Sequence, residues 1–293
     1  MTTTNQQPLP APPADARPTT GPYSGTLSKA VGFTPNFLRG FVIEAGGMME
    51  LLAKITWSAV RHPVGYWGAV RDDMYQTLKQ SWLAITLALA GFLVFISVDV
   101  VIFFNMVGAT KLYGPVLLAE SLRAFTMWID AMVVAGVVGA SLTADVGARK
   151  VREELDAMQV MGIDPVRELG VPRVVSITLF TSLLSIPSLL VTMVSMQFGA
   201  YFTAHMSAAA FYSNLFEDVR PISIYALIVG NVLVGLLIGS ICCYKGFMAA
   251  GGAVGLGRAV NQAVVISFVA VWVEQLAFVA LLLGLFPELG TYK

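Results

Sequence analysis

Five apolar runs, each long enough to cross a bilayer, decide what this chain can become. They are Trp82–Phe104, Gly114–Leu142, Val174–Ala204, Pro221–Tyr244 and Ala263–Phe286. A crossing takes about 20 residues. Lipid offers no partner to backbone N–H and C=O groups, so each run is predicted to be a helix. The rest of the chain agrees: only 12% of residues are charged, against about 25% in soluble domains. The prediction is an all-α membrane protein whose five-span domain covers residues 82–287. The third run has no charge in 31 residues and holds Pro187. That is too long for a straight crossing, so it must tilt, kink or protrude.

The segments outside the runs set the orientation. Basic residues collect on the cytoplasmic side of a membrane protein. Arg61, Arg71, Lys79, Arg149, Lys150, Arg152, Arg167, Arg173, Lys245 and Arg258 fall on one side, and only Lys111, Arg220 and Lys293 on the other. The N-terminus is therefore expected in the cytoplasm of a multi-pass cell-membrane protein, and the C-terminus outside. Residues 1–34 are rich in Pro, Thr and Ala and show no apolar core of a cleavable signal. They are expected to be a disordered cytoplasmic tail.

Residues 35–61 read as an amphipathic helix, with Leu38, Phe41, Val42, Ala45, Met49, Leu52, Ile55 and Ala59 on one face. Its frequent charges argue against a span. It is predicted to lie in the membrane interface, with packing on its own protein as the alternative. Net charge is zero, which argues against nucleic acid as a partner. Cys242 and Cys243 are adjacent and read as reduced helix residues. The two histidines, His62 and His205, lie far apart, so no metal site is expected.

The most polar stretch of the ordered chain, Lys150 to Leu169, sits between the second and third runs. Val151 to Met161 has helical periodicity, with Val151, Leu155 and Met158 as its apolar stripe. Gly162 suits a left-handed helix end, and Asp164-Pro165 a turn back to the membrane. Two readings stand: a helix that merely covers the end of the bundle, or a rigid lever docked in a partner and moving two spans. The chain has no phosphate loop of its own. "GGAVGLG", Gly251 to Gly257, lacks the Lys-Ser/Thr ending.

Charges inside the runs need partners, since one at mid-bilayer costs at least about 2.5 kcal/mol. Glu120, Arg123 and Asp130 are spaced to share a helix face, and Glu274 sits midway along the last run. They read as structural ion pairing, as a polar lining of a pathway through the bundle, or, as a third and less favoured option, as groups for proton coupling. Neither they nor the histidines form a recognisable catalytic set, so no enzyme activity is expected. An odd number of spans does not divide into inverted halves, which disfavours a stand-alone secondary transporter. It suits one half of a larger pore.

Two motifs give the chain a relative. "TADVGARKVREELDAMQVMGIDPVRELGVPRVV", Thr143 to Val175, resembles the signature of the MlaE/YrbE family of ABC-transporter permeases. "CCYKGFMAAGGAVGLGRAVNQAVV", Cys242 to Val265, resembles that family's second cytoplasmic element. The wording of the first looks most like the A-type YrbE subunit of actinobacterial Mce systems. The resemblance implies a permease subunit with no cofactor of its own, ATP being bound by a cytoplasmic ABC ATPase. It implies a second YrbE-type permease, as a heterodimer, and MCE-domain lipid-binding proteins as further partners.

The cargo would be lipid, imported as fatty acid or sterol. The helix between spans two and three would be the cytoplasmic coupling helix. Arg152, Glu153, Glu154 and Asp156 would touch the ATPase, Leu155 and Met158 would pack between them, and Gly162, Asp164 and Pro165 would close the element. The chain departs from the family at "AGVVG", where Val137 stands in place of the usual Arg, and at "RAFTM", Arg123 to Met127. Both departures suit a heterodimer subunit or a pathway with altered polarity. The alternatives are a stand-alone secondary transporter and an intramembrane lipid-modifying enzyme.

Overall fold

The computed structural model describes residues 36–61, 65–216 and 219–290. The expected disordered tail, 1–34, lies outside them, as does His62. The chain divides into one unit ending at Gly47 and a second beginning at Met48. In the first, the chain is helical from Asn36.

The second unit is built from the five expected spans. Helix α1, Asn36–Arg61, ends in it. Then come α2 (Trp67–Met106), α3 (Thr110–Val151), α4 (Glu154–Val160), α5 (Val166–Ala204), α6 (Ala208–Asn214), α7 (Pro221–Phe247) and α8 (Gly252–Leu285). Four of the five apolar runs lie wholly within a helix long and apolar enough to cross a membrane, and the fifth does so up to Leu285, one residue short of its expected end; the described residues contain no strand. The spans outrun the apolar runs because a helix continues into water wherever nothing ends it. Thus α2 begins at Trp67, not Trp82, and α8 at Gly252, not Ala263. Pro187 sits inside an unbroken α5.

Helix α5 packs along α2 and α7, and α7 along α8 and the second half of α3. The centre of the bundle is α7, whose apolar stretch is 67% buried, whereas those of α2 and α8 are only 22% and 17% buried. The two outer helices therefore present most of their apolar surface to whatever surrounds the chain. One end is filled by a core of Val101, Tyr113, Leu118, Leu122, Met196 and Phe211. There, Ser97 Oγ and Tyr113 Oη share the Met196 carbonyl, each at 3.0 Å.

At the other end the α7–α8 turn depends on glycine. Gly251 and Gly252 have φ of 88° and 68°, the left-handed region that costs an L side chain about 1 to 2 kcal/mol. A Cβ on Gly255 would stand 1.7 Å from the Ala250 carbonyl oxygen. Gly251, Gly252 and Gly255 of "GGAVGLG" thus serve a tight reversal.

Helix α3 is not a uniform α-helix. It holds two π turns, Ser121–Phe125 and Val134–Gly139. Each π turn inserts an extra residue, which rotates the remainder of the helix by about 100°. The face that a strict 3.6-residue period assigns to Glu120, Arg123 and Asp130 is therefore split.

Within the second unit α1 buries Met48, Leu51 and Ile55 and leaves Met49, Trp57 and Val60 exposed. The buried stripe runs one residue before the expected Met49 and Leu52. Its position is fixed by packing on its own chain, where Ile55 approaches Gly170 and Lys54 Nζ reaches Asp164 Oδ2 at 3.2 Å.

Candidate functional site

Helix α4 is shorter than the periodicity predicts. The expected helix from Val151 is cut at Glu153, whose φ of 62° is left-handed. Val151 is instead the last residue of α3. A continuous helix would carry α3 straight on, and one left-handed residue is enough to turn the chain aside. At the other end Gly162, with φ of 76°, closes α4 as expected. The Ile163 N–H bonds the Met158 carbonyl at 2.9 Å. Asp164 Oδ1 accepts from Val166 N at 3.0 Å, starting α5, and Pro165 is buried beside it.

The side chains of α4 divide differently from expectation. Leu155 is only 3% exposed and packs into its own bundle, so it is not presented to a partner. Arg152 Nε pairs with Glu154 Oε1 at 2.7 Å, and Lys150 Nζ with Asp156 Oδ1 at 2.6 Å. These charges are satisfied within the chain while remaining at the surface. Glu153 is exposed and Met158 half-buried. The outermost residues are apolar: Val160 is 89% and Met161 67% exposed, and neither stood out in the sequence. The element is thus a short helix with a buried root, a ring of internal ion pairs and a bare apolar tip.

The intramembrane charges separate into three places. Arg123 is buried on the α7–α8 side. Its Nη2 donates to Glu120 Oε1 at 2.7 Å, its Nε to the Ala119 carbonyl at 3.2 Å, and its Nη1 to the Leu289 carbonyl. Gln275 Nε2 donates back to the Arg123 carbonyl at 3.1 Å.

Asp130, beyond the first π turn, faces α5 instead. It accepts from Ser188 Oγ at 2.8 Å, and Thr192 continues the network to Thr126. Its Oδ2 has no partner among the described residues. Glu274, on α8, buries both carboxylate oxygens without a hydrogen bond among those residues. Glu120 and Arg123 meet; Asp130 and Glu274 join neither them nor each other by a hydrogen bond or ion pair.

A further group, not selected from the sequence, surrounds a cleft of about 400 Å³ near α4, between α2, α3 and α5. There Arg173 pairs with Asp145. The i,i+4 spacing of Asp145 and Arg149 is visible in the sequence, but the approach of Arg173 and Asp73 is not. Cys242 and Cys243 are free and buried. No cluster of three or more potential metal ligands occurs among the described residues.

Helix α4 and all but the outermost few residues of the five spans fall within one continuous match to a known family. The profile of the family described as Permease MlaE matches residues 70–281. The chain belongs to the MlaE permease family. MlaE permeases are transporters, so this one is a multi-pass membrane permease and not an enzyme. Among its relatives, a "Probable ABC transporter permease protein" of Synechocystis sp. is 31% identical over 196 residues, 66% of this chain and 73% of the relative. A protein of the same description from Rickettsia conorii is 29% identical over 172 residues, 58% of this chain and 66% of its own length. The chloroplastic protein TRIGALACTOSYLDIACYLGLYCEROL 1 of Arabidopsis thaliana is 29% identical over 170 residues, 58% of this chain and 49% of its own.

Proposed function

We propose that this MlaE permease is the membrane subunit of an ABC-type lipid transporter, driven by a cytoplasmic ATPase that grips α4. The observation carrying this reading is the build of α4. It is joined to two spans by the two-residue link Arg152–Glu153, the second residue left-handed, on one side and by a short capped turn on the other. Its charges are held by internal pairs, and Val160 and Met161 project outward with little of the chain over them. A rigid protrusion with an apolar tip is what a partner's groove can seize, and displacement of its root at Leu155 pulls on α3 and α5 together.

ABC transport is the description borne by the cyanobacterial and rickettsial relatives. The Arabidopsis relative is named for a galactolipid, which supports lipid as cargo. The distribution of basic residues supports placing α4 in the cytoplasm. Exposed Met49, Trp57 and Val60 on α1 support an interfacial position for that helix. The sparsely buried α2 and α8 supply faces for a second, YrbE-type permease. An Mce system, with MCE-domain proteins and import of fatty acid or sterol, is the finer reading carried by the Thr143–Val175 wording.

The test is co-purification with the ATPase. Met161→Asp is expected to abolish the complex and its lipid-stimulated ATP hydrolysis while the isolated permease stays folded. A complex that survives Val160→Asp/Met161→Asp intact removes α4 as the grip.

A further inference from the structure

The cleft beside α4 is unused by this mechanism, yet it is built like a binding site. Asp73 and Gln76 come from α2, Asp145 and Arg149 from α3, and Arg173 and Ser176 from α5. Two carboxylates face two guanidiniums, so its formal charge is zero. The pairing is incomplete. Arg173 is matched to Asp145, but Arg149 Nε reaches the same carboxylate only as a loose ion pair, 3.7 Å from Oδ1, beyond hydrogen-bonding range, and this buried Nε makes no hydrogen bond among the described residues. Ser176 is 1% exposed, lines the cleft, and its Oγ also has no partner there. Asp73, across the cleft, makes no ion pair among the described residues. Buried polar atoms are almost always bonded, so two orphan donors facing a roomy cavity call for acceptor oxygens from outside.

The charge layout selects among ligands. A simple anion would answer Arg149 and Ser176 but would meet Asp73 and Asp145. A simple cation would meet both arginines. A molecule with a phosphate and an amine a few bonds apart answers both sides. On α2, helical steps from Gln80 lead through Ala84 to Leu87, Gly91 and Phe95, all exposed on the same side of the helix. An acyl chain would find an apolar track there, directly above the cleft.

We propose that the cleft binds an amine-bearing phosphate ester of the phosphoethanolamine type. The phosphate lies on Arg149 and Ser176 and the ammonium on Asp73. A membrane phospholipid is the source that the apolar track favours. The inference rests on the bundle lying in a bilayer and holds whatever cargo the permease moves, because its readout is binding.

Native mass spectrometry of the delipidated, intact membrane complex tests it, using phosphatidylethanolamine and phosphatidylglycerol of matched acyl chains. The wild type is expected to bind the ethanolamine lipid about tenfold more tightly, and Asp73→Asn to erase that preference. Thr77→Trp, which fills the cleft, removes the tight site. Ser176→Ala leaves the Arg173–Asp145 pair in place and weakens binding a few-fold, so the proposal stays testable if the bulkier variant fails to assemble. Soluble phosphoethanolamine that binds where the lipid does not assigns the site to a free ester of the same chemistry. Equal binding of the two lipids by the wild type, undiminished preference in Asp73→Asn, or equal displacement by inorganic phosphate overturns the proposal. Loss of transport with lipid preference intact counts against the permease mechanism alone.

Discussion

Lys150 Nζ stands 2.6 Å from Asp156 Oδ1, tying the last turn of α3 to α4 across the left-handed residue Glu153. The pair is partly exposed, and such pairs contribute about 0 to 1 kcal/mol. It orients α4 more than it stabilises the fold. The strain at the junction lies in the backbone of Glu153.

Replacing Glu153 by glycine removes the left-handed penalty, offset in part by the greater freedom of an unfolded glycine. The expected outcome is a stability gain of about 0.5 to 1 kcal/mol, and Glu153→Val should lose at least about 1 kcal/mol. Thermal melting of the purified permease, followed by size-exclusion, distinguishes the two. A melting temperature lowered equally by both would mean that the side chain of Glu153, and not its conformation, matters.

Leu155 and Met161 lie on the same short element and should behave oppositely. Leu155 is buried, so Leu155→Ala is expected to cost the isolated permease about 2 to 5 kcal/mol. Met161→Ala, at the exposed tip, should leave its melting within about 0.5 kcal/mol and weaken only the complex with the ATPase. Melting and pull-down on the same two variants check this. If Leu155→Ala melts normally but loses the ATPase, the residue belongs to the interface after all.

These contrasts show where the sequence is readable. The number and kind of spans follow from run length, a local property, and so does the Glu120–Arg123 pair at i,i+3. The place of α4 is also legible, because charge density and the Gly162, Asp164 and Pro165 signals are local. Its start is not: nothing in Arg152-Glu153 announces a left-handed residue, which the geometry of the α3 exit imposes. The shared face of Arg123 and Asp130 fails for a similar reason, since the π turn at Ser121–Phe125 is set by helix packing and leaves no mark in the periodicity. The α1 stripe slips by one residue because Met48 and Met49 are equally apolar, and only the surface beneath chooses between them. The cleft is invisible because Asp73, Asp145 and Arg173 meet only when three helices are assembled.

Arg123 and Glu120 form one ion pair but should not be equally important. Arg123 is buried and also donates to two backbone carbonyls, whereas the Glu120 side chain is 41% exposed. Arg123→Ala is expected to cost about 3 kcal/mol, the loss typical of breaking a buried pair. Glu120→Gln, which keeps an acceptor and reaches the surface, should cost under about 1 kcal/mol. Yield and melting of the purified permease measure both, and equal losses would show Glu120 to be the anchor.

Asp130 and Ser188 permit a sharper test, because their bond at 2.8 Å joins α3 to α5 inside the bundle. Ser188→Ala takes away the one hydrogen bond formed by the Asp130 side chain among the described residues and strands a fully buried carboxyl, at a cost of about 1 to 3 kcal/mol. Removing both polar groups strands neither. The double variant Asp130→Ala/Ser188→Ala is therefore expected to be more stable than the sum of its single variants predicts, by at least about 0.5 kcal/mol. A structural bond gives that coupling in melting, with transport following stability across all three variants. If the double variant melts like the wild type yet fails to transport in reconstituted vesicles, Asp130 acts in the pathway itself and its bond to Ser188 is a positioning contact.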